Sequence, residues 1–128
     1  MKILTLSIKQ IYFDQIKAGT KKVETREIRA NNAHKYIFYM DGVQTWKKAT
    51  DIPPDCADEV EPEAVKYDAI KFLTGAYSGT RPSILVEVID EQVAIITDEN
   101  DDPIPYMYEG QEYILAEIDY SLGKILES

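Results

Sequence analysis

Cysteine and histidine are almost absent from this chain of 128 residues, which has one of each, Cys56 and His34. A single cysteine excludes an intramolecular disulfide, and one Cys with one His is too few for a zinc site of about four such ligands. Cys56 lies in an acidic, proline-rich stretch without an obvious basic neighbour to stabilise a thiolate, so we interpret it as a plain thiol. His34 follows two asparagines in a predicted loop. We predict no metal ion and no cofactor.

Long hydrophobic runs are absent too, since no stretch approaches the ~18 apolar residues that a membrane-spanning helix needs. The start of the chain, MKILTLSIKQ, reaches Ser, Lys and Gln too early for the apolar core of a secretory signal. Hydrophobic residues make up 45% and charged residues 29%, a mixture typical of globular proteins rather than disordered ones. We expect a single cytoplasmic domain over residues 1–128, with no membrane partner.

Basic residues are scarce in the second part of the chain. Residues 1–48 carry ten Lys or Arg and four Asp or Glu, a local charge of +6, whereas residues 49–128 carry four against nineteen, or −15. The net charge of −9 makes long nucleic acid a poorer ligand than a short one, because phosphate binding draws on Lys and Arg. The asymmetry indicates either an anion-binding face or a folded surface on which the two signs are mixed.

The first thirty residues have the pattern of a strand, a helix and a second strand. MKILTLSI alternates and predicts a strand, after which QIYFDQIKAG changes to a helical period. Gly19 stands where a helix commonly ends in the left-handed conformation, with Lys17 in the last turn. TKKVETREI then alternates as a second strand, and RANNAH is typical of a loop.

The middle of the chain predicts a hairpin followed by an acidic surface excursion. HKYIFYMDGVQTWKK has strong β preference on both sides of Asp41-Gly42, a two-residue turn signal. The acidic, proline-rich excursion covers about 51–63, with one helical turn predicted near Val60–Val65. Hairpin and excursion together occupy about residues 30–66.

The remaining sequence predicts three more strands. YDAIKFLTGAY and RPSILVEVIDEQVAII are strands joined by the turn SGT, with an acidic bend inside the second. TDENDDPIP lacks the glycine and spaced glutamate of a calcium-binding loop, so a solvated turn is the better interpretation. EYILAEIDY predicts the last strand, after which SLGKILES trails off.

The stretch GTKKVETR holds the candidate site residues. On a strand, Glu24 and Arg26 point to one face with Lys22 beside them, whereas Lys21 joins the other face unless the chain is still turning as it leaves Gly19. A same-face salt bridge on a solvated sheet would account for these charges and would contribute only about 0.2–1 kcal/mol. A polar binding cleft would account for them as well.

The segment LSIKQIYFDQIKAGTKKVETREI resembles the ASCH domain, a branch of the PUA-like superfamily. The family signature Gly-x-Lys-x-x-Glu-x-Arg is filled here by Gly19, Lys21, Glu24 and Arg26, within a match that covers residues 4 to 28. AIKFLTG, SILVEVID and EYILAEIDY look like further strands of the family's barrel. The resemblance implies an α+β, mostly β fold, a PUA-like mixed β-barrel with one short N-terminal helix packed beside it.

The resemblance also implies a cleft that binds RNA or a nucleotide-like ligand. Lys21, Lys22 and Arg26 would attract phosphate, and Glu24 would accept a hydrogen bond from a base or ribose. Aromatic side chains on the predicted strands offer stacking faces, although core packing is the commoner role for such residues: Tyr36, Tyr39 and Trp46.

Two alternative functions remain open at the level of sequence. ASCH-like amidohydrolases remove an acyl group from acetylcytidine with a Lys, a Thr and a distal Glu; Lys21 matches the Lys, but Glu24 replaces the Thr and no helix for the distal Glu is evident. Lys21 and Glu24 are the candidate catalytic residues of this alternative, but Glu24 would oppose the uncharged form that a nucleophilic Lys21 needs. The second alternative is an interaction module whose acidic half binds a basic protein.

Overall fold

The computed structural model describes residues 1–41, 44–46, 52–53, 60–75 and 81–128. Over these ranges the chain is mostly β, which confirms the predicted α+β, mostly β class. The helices are α1 (Gln10–Lys17) and α2 (Ala33–Tyr36). The strands are β1 (Ile3–Ser7), β2 (Val23–Ile28), β3 (Ile37–Met40), β4 (Thr45–Trp46), β5 (Glu61–Ala64), β6 (Ala69–Leu73), β7 (Ser83–Ile95), β8 (Pro105–Tyr108), β9 (Gln111–Ile114) and β10 (Ala116–Glu127). No helix in the described part of the chain is long and apolar enough to cross a bilayer.

The strands form three sheets and belong to two compact units. The largest sheet has the order β1-β6-β7-β10-β2, with β1 parallel to β6 and β6 antiparallel to β7. The other two sheets have the orders β4-β3-β5 and β8-β9. Unit 1 consists of Met1–Thr25, Lys66–Glu91 and Asp119–Ser128, and unit 2 consists of Arg26–Val65 and Gln92–Ile118. The single domain and the PUA-like barrel stay predictions.

Unit 1 contains most of the fully buried apolar side chains. Its short helix α1 buries one face, carried by Phe13 and Ile16, and exposes Ile11 and Tyr12 on the other. The parallel pairing of β1 with β6 brings together alternate apolar residues of the two strands. The buried apolar residues of unit 1 are Leu4, Leu6, Phe13, Ile16, Ala69, Ile70, Phe72, Ile84, Val86, Tyr120 and Leu122.

The end of α1 confirms the predicted glycine stop. Gly19 has φ +79°, a conformation that other residues adopt at a cost. The Gly19 N–H donates to the Ile16 carbonyl at 3.0 Å, and the Thr20 N–H donates to the Gln15 carbonyl at 2.9 Å. These two bonds satisfy carbonyls that the last turn would leave unpaired, in the pattern of a Schellman motif. The motif residues that follow therefore leave the helix along a defined path.

Unit 2 contains the predicted hairpin, although Ala33–Tyr36 form α2 where a loop and the start of the hairpin were predicted, and it adds a strand that was not predicted. Strand β3 pairs antiparallel with β4, and Asp41 closes the turn by accepting the Gln44 N–H at 2.7 Å. The helical turn predicted near Val60–Val65 is wrong, because Glu61–Ala64 forms β5 and pairs with the other edge of β3. Backbone hydrogen bonding to β3 outweighs the low β preference of this acidic segment. Gly42, Cys56 and most of the acidic excursion lie outside the described residues.

The C-terminal part of the chain departs most from the prediction. EYILAEIDY is not one strand: β9 ends at Ile114, and Leu115 bonds to the backbone of Ile96 and Ile104 before β10 begins. The prediction that SLGKILES trails off after the last strand is wrong as well, since β10 continues to Glu127. In the loop before β8, the Asp98 carboxylate accepts the N–H groups of Asn100 and Asp102, as in a solvated turn.

Candidate functional site

Lys21 and Glu24 form an ion pair in unit 1. The chain is still turning at Lys21, whose N–H donates to the Gln15 carbonyl at 3.2 Å, and β2 starts only at Val23. The Lys21 Nζ therefore reaches Glu24 Oε1 at 3.3 Å and also lies 5.3 Å from the centre of the Tyr12 ring. Of the two geometries that the sequence left open for Lys21, the turning chain is the one adopted.

The Glu24 side chain is buried, with the residue only 6% exposed. It lies on the inward face of β2, where burial alternates along the strand. A buried carboxylate is costly unless it is paired and hydrogen-bonded, so the ammonium of Lys21 offsets part of its desolvation. This pair is therefore not the solvated surface salt bridge that residue types alone would suggest.

Lys22 and a second lysine line the same small recess. The Leu122 N–H of β10 donates to the Lys22 carbonyl at 2.8 Å, which places Lys124 near the start of the motif. The recess has a volume of about 190 Å³ and is lined by Lys21, Lys22 and Lys124 together with Gly19 and Gly123. We call this the basic recess. The contribution of Lys124 was missed because its segment was predicted to trail off, whereas it is part of β10.

Arg26 is the one signature residue that falls in unit 2. It is partly exposed and has the same strand parity as Glu24 on β2. The structure thus brings Lys21 into contact with Glu24, groups Lys21 and Lys22 with Lys124, and assigns Arg26 to the other unit. Arg26 as a ligand-binding residue stays a prediction.

Unit 2 contains a larger cavity of about 490 Å³. Four tyrosines line it, and we call it the tyrosine cavity: Tyr39, Tyr106, Tyr108 and Tyr113. Aliphatic side chains such as Ile28, Ile37, Val93 and Ile95 cover much of the remaining wall, and Arg29, His34 and Glu109 are the charged or titratable groups. Of the predicted stacking residues only Tyr39 lines this cavity, since Tyr36 is buried in the core and the side chain of Trp46 lies outside the described part of the chain.

The hairpin β8–β9 positions three of the four tyrosines. Tyr106 pairs with Tyr113 across the strands, and the two rings stack with centroids 5.7 Å apart at 26°. Tyr108 meets Tyr113 edge-on at 6.4 Å. The turn Glu109-Gly110 has φ +49° and +80°, which suits a tight two-residue hairpin. The signal was present in the sequence as Y-M-Y-E-G-Q-E-Y, a glycine turn between alternating tyrosines.

The Tyr39 phenol is held in its neutral form. Burial raises its pKa above the ordinary value of about 10, and the nearby Tyr113 and Tyr106 hydroxyls raise it further. Tyr39, Tyr106 and Tyr113 all line the tyrosine cavity.

This shift predicts a loss of stability at alkaline pH. The unfolded chain releases the Tyr39 proton near pH 10 whereas the folded chain holds it, so the free energy of unfolding falls as the pH rises above about 10. The variant Tyr39→Phe should show a shallower fall than the parent protein in urea unfolding curves measured between pH 8 and 11. Equal slopes in the two proteins would contradict the assignment.

Comparison with known proteins identifies no relative of this chain. No protein-family model, no curated protein and no solved structure matches the chain. The ASCH resemblance stays a prediction.

Proposed function

We propose that this protein binds a nucleotide-like ligand or a short RNA through phosphate contacts in the basic recess. The observation that carries the proposal is the convergence of three lysines, Lys21, Lys22 and Lys124, from two parts of a chain that is acidic overall. Lysine ammonium groups are compact donors that suit phosphate oxygens, and their attraction decreases with added salt.

Gly19 favours close approach of a ligand to the basic recess. It has no side chain, and the Lys22 Nζ is the nearest atom to where its Cβ would be, at 4.0 Å. A phosphate group can therefore reach Lys22 without displacing side-chain atoms at this position. The recess is small, so it suits one phosphate group better than a long backbone.

The acidic groups near the recess set a limit on its charge. Glu24 pairs with Lys21, and the Glu87 carboxylate approaches Gly123 from β7. Lys22 and Lys124 are therefore the lysines whose charge is least offset by the carboxylates that line or adjoin the recess. Glu24 remains the candidate acceptor for a base or ribose donor that the resemblance implies.

Titration with cytidine 5′-monophosphate by isothermal calorimetry tests the proposal. Affinity should fall as NaCl rises from 50 to 300 mM, because salt screens the phosphate contacts. Lys22→Ala and Lys124→Ala should each weaken binding by about tenfold, the loss of one charge-assisted hydrogen bond. Lys71→Ala, which removes an exposed lysine from β6 of the same unit, is the matched control and should bind like the parent.

The same titration with a ten-residue single-stranded RNA separates the two ligand types. A larger dependence on salt for the RNA than for the mononucleotide would indicate contacts with several phosphates. Unchanged affinity in both lysine variants, with either ligand, would show that the basic recess is not the site.

The two alternative functions stay predictions. Within the described residues, no contact favours acyl-group hydrolysis over binding, because the Lys21 ammonium is paired with Glu24 at 3.3 Å. The interaction hypothesis depends on the acidic excursion of about 51–63, most of which lies outside the described residues.

A further inference from the structure

We propose that the tyrosine cavity of unit 2 binds a flat, uncharged heteroaromatic ring of the size of a nucleobase, with its hydrogen-bond acceptors turned towards Tyr39, Tyr106 and Tyr113. The proposal is independent of the function proposed above, because the cavity is lined by unit 2 alone and the basic recess by unit 1 alone.

The size and surface of the cavity indicate a small organic ligand. Its volume of about 490 Å³ falls within the range of roughly 300–1,000 Å³ that is typical of small-molecule sites. Its wall combines aliphatic side chains with a few polar groups, the composition in which polar contacts orient a largely apolar ligand. An RNA strand or a peptide would need a longer groove, so we infer that the occupant is a single ring system.

The ring geometry indicates a planar ligand. Tyr106 and Tyr113 already stack at 26°, and Tyr108 stands edge-on to Tyr113 at 67°. Aromatic side chains arranged in this way offer both a face and an edge to a further flat ring. Stacking of a base on an aromatic side chain is favourable and tolerates every base, because every base has a π-face.

The phenol groups indicate a ligand with acceptors. The Tyr106 oxygen accepts the Ala30 N–H at 3.0 Å, which leaves the Tyr106 hydrogen for donation. Tyr39 and Tyr113 line the same cavity as Tyr106. Neutral phenols donate one hydrogen each, so three of them around one cavity suit carbonyl oxygens and ring nitrogens, which all the common nucleobases carry.

The charge distribution argues against a cationic ligand. Aromatic cages can bind quaternary ammonium groups, but here the Arg29 guanidinium already lies 5.1 Å from the centre of the Tyr106 ring. Glu27 pairs with Arg29 and holds it beside Tyr106. Arg29 therefore already occupies the cation position over the Tyr106 ring, so a neutral ring suits the cavity better than a second cation.

The test uses free nucleosides, which carry no phosphate. Adenosine, cytidine, guanosine and uridine are titrated into the protein labelled with ¹³C-tyrosine, and the ring resonances are followed by NMR. At least one nucleoside should shift the signals of Tyr106, Tyr108 and Tyr113 with saturation, and tetramethylammonium should not. Failure of all four nucleosides at millimolar concentration, or saturation by tetramethylammonium instead, would overturn the proposal.

Three variants assign the binding to the cavity. Tyr113→Leu should weaken nucleoside binding by about tenfold or more through lost stacking. Tyr39→Phe keeps the ring and removes one hydroxyl, so it should weaken binding several-fold and remains informative if Tyr113→Leu does not fold. Tyr67→Leu in unit 1 is the matched control and should leave affinity unchanged. Lys22→Ala should also leave nucleoside affinity unchanged. Loss of nucleoside binding in Lys22→Ala together with full binding in Tyr39→Phe would assign the nucleoside to the basic recess and refute the proposal.

Discussion

Replacing Gly123 with alanine is expected to destabilise the protein by about 1–3 kcal/mol, the usual cost of forcing a methyl group into a packed position. A Cβ at this position would lie 2.9 Å from Ile89 Cγ1 and closer still to the Glu87 carboxylate. Alanine also restricts the unfolded chain, but that effect stabilises by only about 0.4–1 kcal/mol, so the clash decides the sign. Urea unfolding followed by circular dichroism measures the difference.

The double variant Gly123→Ala with Ile89→Ala serves as the control. Ile89 is 66% exposed, so its truncation alone should cost little, and removing its Cγ1 should restore part of the stability lost in Gly123→Ala. Stability above that of the parent protein in Gly123→Ala would contradict the close approach of β10 to β7 at this residue.

Replacing Lys21 with methionine should lower the free energy of unfolding by about 1–3 kcal/mol, because one charged partner of the buried Glu24 carboxylate is removed. Methionine retains much of the length of the lysine chain, so the change tests the charge more than the packing. Chemical denaturation at pH 7 is the measurement. Lys71→Met, at an exposed position of β6, is the matched control and should change stability by less than about 0.5 kcal/mol.

A second substitution distinguishes the structural role of the Lys21–Glu24 ion pair from a role in ligand binding. In the Lys21→Met background, Glu24→Gln removes the carboxylate charge and should recover part of the lost stability, because the two residues are coupled. Additive effects of the two substitutions would show that the 3.3 Å ion pair contributes little to the fold. Recovery of stability without recovery of nucleotide affinity would identify Lys21 as a binding group as well as a structural one.

Local patterns predicted the first thirty residues well. The change from strand to helical period, the glycine at position 19 and the alternation of β2 are properties of short segments, and the structure has each of them. The same holds for the hairpin β3–β4 and for β6 and β7, whose apolar alternation is strong, although β7 runs without the predicted acidic bend. Their contacts lie close in sequence or follow from a period, so they can be predicted without knowledge of the fold.

Segments with weak local signals were predicted less well. The acidic strand β5 and the end of β10 are extended because a neighbouring strand accepts their backbone hydrogen bonds, which outweighs their own preference. The hairpin β8–β9 was missed because its proline-rich surroundings were interpreted as loop, although its Glu109-Gly110 turn was visible.

The sequence by itself determined the mostly β class, the glycine-stopped helix and the presence of the charged residues Lys21, Lys22, Glu24 and Arg26 on or beside one strand. Only the tertiary structure decided which of these residues meet. The burial of Glu24 and the approach of Lys124 depend on strands distant in the chain, and so does the position of Tyr39 in one cavity with the tyrosines of β8 and β9. Long-range contacts of this kind follow from how buried surfaces pack together, and no local period encodes them.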